Sequence, residues 1–546
     1  HHCCCPTMLA LDVSSVATWA LGLVVAFGVY WLVSVFQRAQ QLDHKLRAIP
    51  KVPSSYPLSH LVQLITRPPW DVMEQWTRQH GSVVRFHLFN QTYVVVADPE
   101  VLKHVLSSNI HNYEKDRDTY APFLCVLGTG LVTSHGELWR KQRQLLSGVF
   151  REEILADTAS VAIKATERLS RMLERMRGTG APVTIGEEFR KLTLQVIGEA
   201  VLSLAPDECD AFFPHVYLPI VEEANKRTWY PWRAYLPTKG NRDYHRAIKQ
   251  LNHYVTDLVS KRAALRLSER AAKLAAARAA NNNDASAAAE SLALQGDILD
   301  RILEACFAEH DAAAAAAAPA SSDSNHSPPL TELSPERLRQ LRDEIKTFVF
   351  AGHETSSMMI TWTLYQLLKN PHCLARVRAE AAAVFGDYEA ARAAGNQSPD
   401  EPPFRAYAGL SYTQNALREA LRLYSIVPVV TRHVVDDDVV GDYFLPRDSK
   451  LVLCLQSVHH NDAYWEAPYE YRPERFESNY HPYAFLPFIN GPRRCVGQFF
   501  ALLETKIVLA LLVHRFNFTI APGCEGAKHP FNIPVCPADA LPVLVD

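Results

Sequence analysis

Late in the chain, Phe488-Ile489-Asn490-Gly491-Pro492-Arg493-Arg494-Cys495-Val496-Gly497 brings a thiol, two cations and two glycines together, directly ahead of an apolar helical pattern from Gln498 to Phe516. A cysteine just before a helix start sits where free backbone N–H groups and the positive dipole end converge, and both favour thiolate over thiol. Arg493 adds a cation two residues away, while Gly491 and Gly497 let the backbone turn tightly and approach something flat. The chemistry on offer is that of a thiolate. A merely buried cysteine in a Gly-rich loop is the alternative the loop alone leaves open.

Further polar groups stand on helical patterns. Ser334-Pro335-Glu336 reads as an N-cap with Pro at the first helical position, and the pattern runs to Lys369, stopped by Asn370-Pro371. Roughly 35 residues at about 1.5 Å each give a helix about 50 Å long, enough to cross a whole domain. In its middle stand Ala351-Gly352-His353-Glu354-Thr355-Ser356. Mid-helix Gly costs about 1 kcal/mol relative to Ala, so Gly352 has a packing or ligand reason, and Thr355 can bond back to the previous turn and open the ladder. Trp139 and Arg143 share one helix face, as do Glu419 and Arg422. Alone, the first pair is a surface Arg covering a Trp. The second is an ion pair of little worth unless Ala416, Leu417, Leu421 and Leu423 bury it.

Taken together and in this order, the motifs resemble the cytochrome P450 family. The Cys495 loop is similar to the family's Phe-x-x-Gly-x-Arg-x-Cys-x-Gly and continues to Ala501 and Glu504; residues 351–356 resemble its oxygen-groove signature. Trp139/Arg143, Glu419/Arg422 and Pro473-Glu474-Arg475-Phe476 resemble three further elements. The resemblance covers about residues 50 to 540 and implies a mainly α fold with small β-sheets (α+β). It implies that Cys495 is the axial ligand of haem b (iron protoporphyrin IX), in a loop shaped by Phe488, Gly491, Arg493 and Gly497. Trp139, Arg143, Arg432 and Arg493 would neutralise the haem propionates, and Ala351 and Gly352 would border the oxygen groove. Thr355, with Glu354, would order water and protons there. Glu419, Arg422 and Arg475 would form a structural triad, as a buried pair needs a third partner. Two departures are Ile489, where the family has a small or polar residue, and Ser425, where a Pro is common.

The elements that must position these groups lie in a chain of 546 residues with 48% hydrophobic and 21% charged residues, a globular composition. A net charge of −3 argues against a nucleic-acid binder. Eleven cysteines without CxxC pairs suggest reduced thiols in a cytosol-facing domain. His1 to Thr7 crowds five metal-ligand types side by side, too close for all to reach one ion, and is given no function. Val13 to Gln37 is charge-free and long enough to span a bilayer, and Arg38, Lys45, Arg47 and Lys51 follow it. The expectation is a transmembrane signal-anchor within residues 1–49, with everything after it cytosolic, at the endoplasmic reticulum. Residues 50–546 are read as the catalytic domain, entered through a linker stiffened by Pro50, Pro53 and Pro57. Val83–Leu88 and Thr92–Val96 read as a hairpin, Asn112 to Thr133 as an aromatic loop over a ligand, and Val439 onward with Leu451 to Leu455 as paired strands. Around 268–286 and 310–333 the composition turns Ala-, Asn- and Ser-rich, as in low-complexity surface insertions.

The function these features imply is a haem-thiolate monooxygenase that inserts one atom of O2 into a lipophilic substrate: a fatty acid, sterol, terpenoid or carotenoid. Thiolate ligation favours O–O cleavage. No flavin or nicotinamide fingerprint follows a strand, so electrons come from an NADPH-dependent flavoprotein reductase, received on Arg140, Lys141 and Arg494. Candidate pocket positions are Tyr120, Phe123, Phe212, Phe213, Ala351, Val429, Val430 and Ile533. The alternatives are a haem-thiolate isomerase or dehydratase, whose kind typically loses the Thr, and a non-catalytic membrane haem-binding protein, to which Glu354–Thr355 would be surplus.

Overall fold

The computed structural model describes residues 13–55, 58–89, 91–149, 152–279, 296–317, 332–396 and 399–546. His1 to Thr7 lies outside these residues, as do parts of both compositionally biased stretches.

The centre of the molecule is the helix Pro335–Lys369. The Ser334 side chain caps it by accepting from Arg337 N at 3.2 Å, Pro335 occupies its first turn, and it ends before Pro371. From His353 to Tyr365 every residue but Glu354 and Thr355 is buried, because other helices pack around it: Ile185–Leu202, Lys239–Ala279, Ser411–Tyr424 and Gln498–Arg515. Trp362 lies flat on Tyr424, ring centroids 3.7 Å apart, and donates to Val535 O at 2.9 Å. Gly352 has a packing reason. A Cβ there would stand 2.7 Å from Ile197 Cδ1, so glycine lets the Ile185–Leu202 helix come close.

The strands are β1 (Val83–Leu88), β2 (Gln91–Val96), β3 (Tyr113–Glu114), β4 (Val183–Thr184), β5 (Val429–Val434), β6 (Asp438–Val440), β7 (Tyr443–Leu445), β8 (Lys450–Cys454), β9 (Phe518–Ile520) and β10 (Pro542–Val545). They form a five-stranded sheet in the order β1-β2-β8-β5-β3, a three-stranded sheet β4-β10-β9 and the ribbon β6-β7. The hairpin β1-β2 falls where alternation places it. The segment at 450–454, however, does not pair with the one at 438–440. It lies antiparallel to β5 (Val430 opposite Leu453) and parallel to β2 (Val94 opposite Leu451), while β6 closes its own ribbon with β7. Alternation identifies a strand but carries no information about a parallel partner more than 350 residues away.

Residues 112–133 are more ordered than a loop. Helix Arg117–Leu127 starts at Asp116, whose side chain accepts from Thr119 N at 3.3 Å, and it contains Pro122. The proline and the aromatics mask the pattern, while burial of Val126 and Leu127 holds the helix. Helix Lys239–Ala279 likewise continues past Ser268, and Arg270 on it donates to Glu304 at 2.9 Å on the neighbouring helix Ile298–Ala317. At the other end, helix Val13–Lys45 carries the charge-free stretch. Among the described residues no helix is long and apolar enough to cross a membrane.

Candidate active site

The loop Phe488–Gly497 is pinned by its backbone. Cys495 N donates to Phe488 O at 2.9 Å and Arg494 N to Gly491 O at 3.0 Å. Gly491 is demanded twice over: its φ is +78°, and a Cβ would lie 2.1 Å from Leu106 O. Ile489, the departure, also adopts a positive φ of 58°, a conformation that disfavours a β-branched residue. Gly497 N–H reaches the Cys495 sulfur from the start of helix Gln498–Arg515.

Cys495 is exposed, yet burial pushes its thiol up. Gly497 N–H, Arg143 and Arg494 pull the other way. The cations acting on the sulfur are therefore Arg143 and Arg494, not Arg493 as the spacing suggested. Arg493 turns away to stack over Trp139, 4.0 Å from the ring centroid, and donates to Ser134 O at 3.0 Å.

Arg493 belongs to a second cluster. Arg432, 3% exposed on β5, donates to Thr431 O at 2.8 Å and bonds Tyr120. Lys115 donates to Val132 O and lies 5.2 Å from the Tyr120 ring centroid. Lys115 and Arg493 are both driven down by burial, then by neighbouring cations. Glu114 is near enough to act on Arg493. Among the described residues, though, none of the three cations forms an ion pair with a carboxylate, an arrangement that invites anions. Lys115 escaped the sequence reading because Glu114-Lys115-Asp116-Arg117-Asp118 looks like a solvated charge run. Its bond to Val132 O and its place over the Tyr120 ring set it apart. Arg143 is acted on by Cys495 and Arg494.

On the long helix, Ala351 is exposed in mid-helix, one turn from Thr355, whose hydroxyl donates to Ala351 O at 2.6 Å. Glu354 points elsewhere, into an ion pair with Arg190 at 3.4 Å; Arg190 also meets Glu187 at 2.7 Å. Burial raises the Glu354 carboxyl and Arg190 opposes it. The Glu419–Arg422–Arg475 set comes together as one network in which Glu419 and Arg422 are fully buried and Arg475 is partly buried at the edge. Arg422 Nε and Nη2 donate to the Glu419 oxygens at 2.9 and 2.8 Å, and Arg475 Nε donates to Glu419 at 2.9 Å.

The aromatic pocket candidates divide. Phe123 meets Phe350 on the long helix at 5.5 Å, but Phe212 stacks on Tyr254 at 3.9 Å and Phe213 is 1% exposed in the core. A surface pocket of about 690 Å³, lined by Glu74, Arg78, Gln456 and His460 among others, shares no residue with the Cys495 site. Its Glu74 is already engaged: His460, Tyr469 and Gln456 hold it down at about 2 against burial, the largest influence, which raises it.

These residues fit a flat, dianionic, thiolate-ligated group. Cys495 is exposed, Arg432, Lys115 and Arg493 have no carboxylate ion-pair partner among the described residues, Ala351 is exposed in a packed helix, and nothing lies within 4 Å of where a Gly497 Cβ would stand. The comparisons agree. Residues 50–533 match the family model described as Cytochrome P450. The chain is 28% identical to the Arabidopsis thaliana protein LUTEIN DEFICIENT 5, chloroplastic, over 82% of this chain and 69% of that one. It is 28% identical to an A. thaliana cytokinin hydroxylase (83% and 79% covered) and 25% identical to cytochrome P450 4c21 of Blattella germanica (94% and 96%). The chain belongs to the cytochrome P450 family. It is a monooxygenase, an oxidoreductase whose cofactor is haem b, and its family works with O2, lipophilic substrates and redox-partner reductases.

Proposed function

We propose that this chain hydroxylates a lipophilic molecule of the terpenoid, carotenoid, sterol or fatty-acid kind, with electrons from an NADPH-dependent flavoprotein reductase. The observation that carries the reading is the pairing of an exposed Cys495 at a helix start with Thr355 beside the exposed Ala351 on the long helix. Cys495 is the ligand. Haem bound there supplies oxygen activation, and the protein supplies the rest. The Thr355 hydroxyl holds water and hands on protons at the groove. Glu354, held by Arg190 beside the half-exposed Glu187, is the neighbouring carboxylate that would feed protons to the groove. Apolar side chains such as Phe123 keep bulk water away from the substrate. That one relative is named a cytokinin hydroxylase supports hydroxylation as the reaction. Arg140 is paired with Glu137, which leaves Lys141 and Arg494 as the freer cations for an acidic reductase face. The charge-free run Val13–Gln37 and its basic flank support a single-pass anchor at the endoplasmic reticulum, with the catalytic domain in the cytosol.

The test is Thr355→Ala with reductase and a substrate that shifts the Soret band. The reduced carbon monoxide spectrum and NADPH consumption stay near normal, while product per NADPH falls and hydrogen peroxide makes up the difference. Equal coupling in both proteins removes Thr355 from proton delivery. Product formed without NADPH favours the isomerase or dehydratase reading.

A further inference from the structure

We infer that the surface pocket along helix Pro69–His80 is a binding site for the phosphate of a small phosphate monoester. The pocket shares no residue with the Cys495 site, so the inference stands independently of the haem reading.

Its volume of about 690 Å³ falls within the range of about 300–1,000 Å³ that small-molecule sites occupy. Asp71, Glu74, Gln75 and Arg78 recur at helical spacing, so one face of helix Pro69–His80 makes a wall, with Arg67 just ahead of it. Gln456 and His460, 1% and 4% exposed, are the buried part of the lining, and Lys528 completes it from the C-terminal segment. The acids of the pocket are occupied from within. Glu74 accepts from Gln456 Nε2 at 2.7 Å and Tyr469 OH at 2.6 Å, and meets His460 Nδ1 at 3.0 Å. Asp71 accepts from the same Gln456 nitrogen at 2.7 Å. The cations are served far less well. Arg67 donates to Gln75 at 2.9 Å and, among the described residues, forms no ion pair. Arg78 reaches the Tyr469 hydroxyl, and its carboxylate contact is Asp462, 3.9 Å away and 75% exposed. Lys528 stands 3.7 Å from Asp71 and 3.4 Å from Gln456 Oε1. Three cations thus line one concavity whose two carboxylates already hold their donors, on a framework fixed by buried hydrogen bonds. A cationic ligand would meet like charges and a satisfied Glu74, and an apolar one would bury the charges unpaired. A phosphate monoester carries a charge of about −1.5 to −2 and three strong acceptor oxygens, which suits two guanidinium groups and an ammonium. A soluble phosphate ester and a lipid headgroup present that same group.

The experiment titrates the haem-loaded full chain, in phosphate-free buffer, with glycerol 3-phosphate, dihexanoyl phosphatidic acid or acetate, read by calorimetry. Glycerol 3-phosphate should saturate at one equivalent and bind more tightly than acetate. Arg67→Gln, Arg78→Gln and Lys528→Gln should each weaken it about 10- to 100-fold, the size of one charge-assisted hydrogen bond. Arg246→Gln, an exposed cation on another helix, should bind as the parent does. Circular dichroism and the reduced carbon monoxide spectrum check that each variant is folded, and the exposed Arg67 keeps the test open if Lys528→Gln is not. Tighter binding of dihexanoyl phosphatidic acid than of glycerol 3-phosphate assigns the site to a lipid headgroup, and equal binding assigns it to a soluble ester. No saturable binding of either phosphate to the parent, or binding that survives all three substitutions, overturns the inference. Acetate bound as tightly as glycerol 3-phosphate overturns the choice of a phosphate.

Discussion

Replacing Glu419 by Gln removes the one negative charge at the centre of a buried cationic network. Glu419 is 0% exposed and accepts from Arg422 Nε (2.9 Å) and Nη2 (2.8 Å), Arg475 Nε (2.9 Å) and Arg472 N (3.0 Å). Arg422, also 0% exposed, would keep His459 O at 2.8 Å, Pro468 O at 2.6 Å and the Trp465 ring at 5.4 Å, but no anion. Arg475 would keep Glu466 O at 2.9 Å. Breaking a buried pair by removing one partner costs about 3–5 kcal/mol, because the other charge stays buried. Arg422 retains neutral acceptors and Gln can still accept one bond, so the lower end, about 3 kcal/mol, is expected. That is a large share of a typical stability of about 5–15 kcal/mol. A cofactor-bound chain of this size does not unfold as a two-state system, so the assay is the rate of thermal inactivation and the fraction of chains holding haem. Glu419→Gln should shorten the half-life by about two orders of magnitude, as each 1.4 kcal/mol is a factor of about ten if the interaction is lost in the unfolding step. The apolar double replacement Glu419→Leu/Arg422→Met should be milder than either single change. A loss below about 1 kcal/mol in Glu419→Gln, or a double variant worse than both singles, would refute this account of the network.

Cys495→Ser should abolish the red-shifted Soret band of the reduced carbon monoxide complex, and a surviving band would make another cysteine the ligand. Gly491→Ala sets a Cβ 2.1 Å from Leu106 O at a φ of +78°, about 1–2 kcal/mol of backbone strain before the clash, so both fold and haem content should drop. Gly497→Ala meets nothing within 4 Å, so haem content should fall while the circular dichroism of the haem-free chain stays unchanged. Burial raises Glu344 and Glu504 to about 8. Between pH about 4.5 and 8 the unfolded chain ionises these groups while the folded chain keeps the protons, so stability falls as pH rises, by at most about 1.4 kcal/mol per pH unit for each group. Glu344→Gln should flatten the decline of inactivation half-life between pH 5 and 8, and an unchanged slope would show that Glu344 ionises normally.

The sequence by itself determined the local chemistry. The Ser334 cap, Pro335 and Asn370-Pro371 bound the long helix at its observed ends, because capping and proline chemistry act within a few residues. Burial of Glu419 and Arg422 was legible from Ala416, Leu417 and Leu421 around them, since a helix face is set by spacing alone. Tertiary structure decided what depends on distant partners. It made 450–454 the strand between β2 and β5, it turned Arg493 from Cys495 to Trp139, and it paired Glu354 with Arg190. It also turned Lys115, in a run of charges that reads as surface, onto Val132 O and the Tyr120 ring. A side chain's charge is written in the sequence. Its direction and dielectric surroundings are fixed by which remote elements pack over it, so charge partners within the site became visible only when the chain was folded.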